Sequence, residues 1–154
     1  GLKWADSSLQ SDRELVLEVV TQTGGALEFA SKELKADREV VLAAVKSDGG
    51  ALFSASEVFR KTDREVVITA VCQSAHALRC ASDTFRDDQE IVRAAVAQEG
   101  RYLEYASLRL KADREIVKMA VTNHGCGLEY ASRALQRDRE IVLAAVTSKG
   151  EALK

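Results

Sequence analysis

Proline is absent from all 154 residues, aromatic residues make up only 5%, and there is one methionine and one tryptophan. The absence of proline removes one common mark of a break between domains. The three cysteines, Cys72, Cys80 and Cys126, are odd in number and irregularly placed. That excludes a regular disulfide framework and leads us to expect an intracellular, reducing compartment. No apolar run approaches the roughly 18 residues of a bilayer span, so no membrane insertion is expected. The opening Gly1-Leu2-Lys3-Trp4 has neither a signal-peptide pattern nor an initiating methionine, so the chain is expected to be a segment of a longer one. Charge of one sign is missing too: 22 basic against 24 acidic residues leave a net charge of -2. No global field then draws the chain to nucleic acid or to an anionic membrane. What remains, 46% hydrophobic and 30% charged, is the composition of a globular protein with a core.

A repeat is plain. Asp-Arg-Glu recurs at Asp12, Asp37, Asp63, Asp113 and Asp138, and Asp88-Gln89-Glu90 is its one variant. The aspartates are 25, 26, 25, 25 and 25 residues apart, by subtraction of their numbers. A second anchor couples a leucine to an Ala-Ser pair at Leu27, Leu52, Leu78, Leu103 and Leu128, echoed by Leu2…Ala5-Asp6 at the start and Ala152-Leu153 at the end. The extra residue of the second unit falls between Ser56 and Asp63, where a turn is expected. The chain thus divides into a partial unit 1-11, units 12-36, 37-62, 63-87, 88-112 and 113-137, and a partial unit 138-154.

Each unit reads as two helices. The first opens at the aspartate, which suits an N-cap, with a glutamate favourable to the positive end of the helix dipole. Ser11, Thr62 or Asp87, three residues before Glu14, Glu65 or Glu90, offers a second cap register. Apolar residues then recur at i, i+1, i+4 and i+5, as in Val40, Val41, Ala44 and Val45. At about 100° per residue they cover a face roughly 140° wide, broad enough for a helix wedged between two neighbours. Gly24, Gly49, Gly100, Gly125 and Gly150 stand where a left-handed residue would end this helix, and Ala75 takes that place once. An alanine held left-handed would be strained, so Ala75→Gly is expected to stabilise. The second helix carries Leu27, Ala30, Ser31 and Leu34, and its small Ala-Ser pair would let backbones approach. Helices this short are marginal alone and must borrow stability from neighbours. The expected architecture is all-α, an α-solenoid of tandem two-helix repeats with a period of about 25 residues, forming a curved superhelical rod.

The run from Asp138 to Val146, with Gly150 and the Gly127-Leu128-Glu129-Tyr130-Ala131-Ser132 segment, closely resembles the repeat called domain of unknown function 4116. The resemblance covers essentially the whole chain and implies a helical tandem repeat with no catalytic motif. The period is also similar to that of the leucine-rich repeat variant, which implies a second segment that is partly 3-10 helical. Gln89 for arginine, Ala75 for glycine, and Ser54 and Cys80 for an aromatic depart from the pattern.

Few residues are left for chemistry. Cys72, His76 and Cys80 place three soft ligands within nine residues, but they occupy unrelated variable columns and lack a fourth ligand, so no metal is expected. His124 and Cys126 flank Gly125 without a third orienting group, which leaves no catalytic residue and no cofactor to propose. A basic column, Lys35, Arg60, Arg86 and Lys111, could track a phosphate backbone. It also sits where cations complement a helix C-terminus, and nucleic acid is the weaker expectation. The aromatic column Trp4, Phe29, Tyr105 and Tyr130 serves either packing between units or an exposed contact surface. On the first helix, the residues after each apolar pair are Leu17, Leu42, Ile68, Arg93, Lys118 and Leu143. Two units carry a cation there, so packing does not demand Leu17, Leu42 and Ile68, and they form a candidate partner surface. The expected function is a non-catalytic protein–protein interaction scaffold within a larger protein or assembly, against a spacer or an RNA-binding rod.

Overall fold

A computed structural model describes residues 2–151 of the chain, and among them there is no strand. They fall into two compact units divided between Ser82 and Asp83. Six long helices begin one residue after the six anchor aspartates: α1 (Arg13–Gln22), α2 (Arg38–Ser47) and α3 (Arg64–Gln73) in the first unit. The second unit holds α4 (Gln89–Gln98), α5 (Arg114–Asn123) and α6 (Arg139–Glu151). Within each unit the long helices stack in sequence order, with 3-10 segments forming a second layer.

The aspartate register wins the competition between the two cap positions. Asp37 accepts from the Glu39 and Val40 amides at 3.0 and 3.2 Å, and Asp113 and Asp138 do the same for their helices. Ser11 and Thr62 instead donate their hydroxyls to carbonyls four residues back, at Ser7 and Val58. Asp87 accepts from Arg109 and from the Ser107 hydroxyl.

The expected second helix is in fact two pieces. Gly24–Phe29 is a 3-10 helix, Ala30 and Ser31 are extended, and Lys32–Lys35 is a single α turn. The spacing of three between Gly24, Leu27 and Ala30 is the 3-10 period, which stacks these small and buried residues on one side. Ala-Ser is therefore a break. Ser31 caps the short turn, accepting from the Leu34 amide, and donates its own amide to the Gln10 carbonyl of the preceding repeat at 3.1 Å. Ser56, Ser82, Ser107 and Ser132 make the same backward bond, to Lys35, Arg60, Arg86 and Lys111. The extra residue of the second unit lengthens the short helix to Glu57–Thr62 instead of adding a separate turn.

The glycine expectation is also corrected. No described residue has positive φ, and the long helices end on extended residues such as Asp48 (φ -147, ψ 111). Gly24 opens the next 3-10 segment because only hydrogen fits there: a Cβ would lie 2.2 Å from the Ala44 carbonyl oxygen. Gly49 meets Ala70 O at 2.2 Å and Gly100 meets Ala120 O at 2.1 Å in the same way. Gly150 lies inside α6, and the Ala152-Leu153 echo lies outside the described residues. Ala75 is buried at the start of Ala75–Cys80 with ordinary negative φ, so Ala75→Gly relieves no strain.

The arginines of three Asp-Arg-Glu runs link repeats. Arg13 Nε donates to Asp37 at 2.7 Å and its Nη2 to Glu39, and Arg38 treats Asp63 and Glu65 alike. Arg114 reaches Glu140, which also accepts from Lys118 Nζ at 2.8 Å. One carboxylate thus caps its own helix and receives the previous repeat's guanidinium. The Arg13 hydrogen bond, aided by helix amides, holds Asp37 below the usual aspartate range. Burial pushes Asp63 up, but Arg38 and the Val66 amide outweigh it and the net shift is downward. Hydrogen bonds from Lys118 and Arg114 bring Glu140 down to about 2. Gln89 replaces the arginine once, and among the described residues no side-chain bond joins it to Asp113 or Glu115.

Three outcomes are expected. Gly49→Ala should cost about 3 kcal/mol in urea denaturation through overpacking against backbone. Gly25→Ala, whose Cβ would meet only the Asp48 carboxylate at 3.4 Å, should stay within about 0.5 kcal/mol. Equal costs at both sites would refute the close-approach account. Gln89→Arg should raise Tm by about 1–2 °C in low salt and by less in high salt, because an exposed link is weak and screened. A depressed carboxyl stabilises above its unfolded pKa, so the Glu140 contribution is complete above about 4.5 and is lost as pH falls towards about 2. In an NMR titration Lys118→Met should move the Glu140 midpoint upward, and an unmoved midpoint would contradict the assigned cause.

Candidate partner-binding face

Helical periodicity puts the residue after each apolar pair at the edge of the buried face. Leu17, Leu42 and Ile68 are accordingly half-buried. Where α1 and α2 lie side by side, Leu17 and Leu42 open into a groove of about 650 Å³, whose lining also takes in Ala43 and the hydroxyl side chains of Thr21 and Ser47. Arg38 and Glu39 stand on its rim, where both are already engaged in the arginine links. Lys46 also lines the groove, exposed and with no ion pair among the described residues. Ile68 is not part of this lining, so the structure brings together two of the three candidate aliphatics.

The same column in the second unit shows what the position tolerates. Arg93 is exposed, Leu143 is 57% exposed, and Lys118 is half-buried with its ammonium on Glu140. That contact raises the Lys118 pKa through the Glu140 hydrogen bond. The frame holds a cation here without disturbing the buried Val117 and Val121.

The aromatic column divides by environment. Trp4 is 85% exposed, with the Lys3 ammonium 5.2 Å from its ring. Phe29, Tyr105 and Tyr130 are half-buried. Arg86 sits 6.0 Å from the Tyr105 ring and Tyr102 stacks on it at 6.3 Å, so much of this ring is spent on packing within the second unit. The Glu129 carboxylate raises the Tyr130 pKa, with desolvation and Glu104 adding to it.

The polar clusters are dispersed. Cys72 and Cys126 are exposed, and the half-buried Cys80 donates its thiol to the Ala77 carbonyl at 3.2 Å. His76 lies against Phe53 at 5.3 Å. His124 Nδ1 accepts from the Gly100 amide at 3.3 Å, tying its loop to the preceding repeat. Among the described residues, no three His, Cys, Asp or Glu side chains gather as a metal site. Lys35, Arg60, Arg86 and Lys111 are half-buried beside the carbonyls that receive the serine amides.

Thr21, Ala43 and Lys46 were not picked out as site residues by sequence reasoning. Their signal was available: Thr21 and Lys46 follow Leu17 and Leu42 by four positions, one helical turn along the same edge. Leu108, 83% exposed on the short turn Leu108–Lys111, carried no such signal.

Searches among curated proteins and among solved structures found no match for the chain. The model of the family described as Domain of unknown function (DUF4116) matches residues 2–35, 12–60, 63–111 and 113–154. With the period, the caps and the stacked long helices already in place, these matches make the chain a member of the DUF4116 repeat family.

Proposed function

We propose that the chain is a non-catalytic protein–protein interaction module whose partner docks in the groove over Leu17 and Leu42. The observation that carries this reading is the coincidence of two facts. The groove opens on a column where other repeats carry arginine or lysine, so its leucines are not imposed by the fold. Its other charged residues are occupied by repeat-to-repeat links, leaving an aliphatic floor and one exposed lysine as the recognition elements. A partner segment with apolar side chains and an acidic residue near them matches that lining.

The non-catalytic part of the proposal is supported by where the reactive residues sit. His124 accepts from a backbone amide of the preceding repeat, Cys80 donates to a carbonyl three residues back, and His76 stacks on a phenylalanine. No helix among the described residues is long and apolar enough to cross a membrane.

A photo-crosslinking residue at Lys46, in the chain carried by its native cells, should give a discrete adduct that Leu42→Arg removes. The same substitution should weaken partner binding about tenfold or more while costing no more than about 1 kcal/mol of stability, since Leu42 is only half-buried. Ile68→Lys, outside the groove, should leave the adduct in place. No adduct, or one indifferent to Leu42→Arg, would overturn the reading in favour of a spacer.

A further inference from the structure

The two carboxylates that open a long helix form a seat for a guanidinium. At Asp37, Oδ1 accepts the Glu39 and Val40 amides of its own helix, while Oδ2 accepts Arg13 Nε at 2.7 Å. Asp63 divides its oxygens in the same way, Oδ1 to the Val66 amide and Oδ2 to Arg38 Nε at 2.6 Å. Glu39 and Glu65 take the other edge of each guanidinium. In a third case Arg114 lies on Glu140 and 3.7 Å from Asp138.

Asp113 and Glu115 form the same seat with no arginine of the chain to fill it. The backbone at Asp113 (φ -79, ψ 116) matches that at Asp37 (φ -85, ψ 115), and Asp113 Oδ1 accepts the Glu115 and Ile116 amides at 3.0 and 3.1 Å. Its side chain therefore stands as that of Asp37 does. Among the described residues, neither its Oδ2 nor the exposed Glu115 carboxylate takes a hydrogen bond or an ion pair. The cause is Gln89, which holds the arginine's place on α4 and is shorter and uncharged. The α4–α5 joint stands without that link: Ile91, Val92, Ile116 and Val117 are at most 1% exposed, and Asp87 binds Ser107 and Arg109 of the next repeat. The seat keeps its shape, and the fold does not depend on its being filled.

We propose that this seat binds an arginine side chain of a partner protein, which completes the α4–α5 joint as Arg13 and Arg38 complete theirs. Charge and shape both select that side chain. Two carboxylates side by side call for a cation, and the forked pattern at Asp37 and Asp63, Nε to the aspartate and Nη2 to the glutamate, suits a guanidinium and not an ammonium. Free arginine would bring its own α-carboxylate towards two others, so a residue within a protein is the better occupant. Arg93, exposed one turn beyond Gln89, does not bar the way: at Glu140 the equivalent Lys118 and an arginine share one carboxylate. This seat is independent of the groove over Leu17 and Leu42.

Amide NMR of the whole chain, titrated to about 100 mM with N-acetyl-arginine amide and separately with N-acetyl-lysine amide, tests this. The arginine compound should shift the Glu115 and Ile116 amides, which bond Asp113, in a saturable way and about threefold or more tightly than the lysine compound. The Glu39 and Val40 amides, whose seat Arg13 fills, should stay in place. Gln89→Arg should abolish the response at Glu115 and Ile116 by filling the seat from within, and Glu115→Gln should weaken it about threefold or more. Both positions are exposed, and circular dichroism would verify that the variants fold. Free L-arginine should bind more weakly than the amide, and tighter binding would overturn the assignment to a protein side chain. No shift, equal responses to the two amides, equal responses at Val40 and Ile116, or a response that survives Gln89→Arg would each overturn the seat itself.

Discussion

The rest of the structure depends on how closely one repeat lets the next approach. At three 3-10 segments the first residue comes so near the last-turn carbonyl of the following helix that Gly24, Gly49 and Gly100 have no room for a methyl group. That distance sets the spacing at which Val20 and Val45 lose all contact with water. A ten-residue helix is too short to be stable by itself, so the apolar area gained at this spacing, about 1.5–3 kcal/mol for each fully buried valine or leucine, holds the helix in place. Nearest-neighbour dependence is the general energetic logic of repeat arrays.

The polar groups serve the same interface. The Asp-Arg-Glu tripeptide distributes three jobs: the aspartate caps its own helix, the arginine reaches forward, and the glutamate receives the arginine from behind. The Ala-Ser pair adds a backbone bond running the other way, from the serine amide to the previous short turn. Most of what recurs in the sequence is therefore consumed in joining repeats. The columns that vary escape that demand, and the edge column of Leu17 and Leu42 holds aliphatic residues in some repeats and cations in others.

This division explains what could be read in advance. The helix starts and the double apolar pairs were legible in residues a few positions apart, and the period in the recurrence of those short patterns along the chain. The 3-10 break at Ala30-Ser31 was harder, because the bond that stabilises it goes to Gln10, a residue in another repeat. The glycines were visible, but a glycine that supplies positive φ and one that supplies space look alike in sequence, and only the Ala44 carbonyl distinguishes them. The arginine of the tripeptide had no local partner to suggest its role. Leu17 and Leu42 were legible as edge residues, whereas Ile68 shares their column but not their groove.

The central claim, that the repeats are locked by bonds between neighbours, bears most directly on amide hydrogen exchange at Ser56 and Ser132. Each donates its N–H to the preceding repeat, at 2.9 and 2.8 Å, and neither lies inside a long helix. The account predicts protection at these two amides comparable to that of Val45 and Val121 in the long helices, because opening either bond requires parting two repeats. Exchange as fast as that of an exposed loop would show that the repeats are held by side-chain burial alone, and the account would be contradicted.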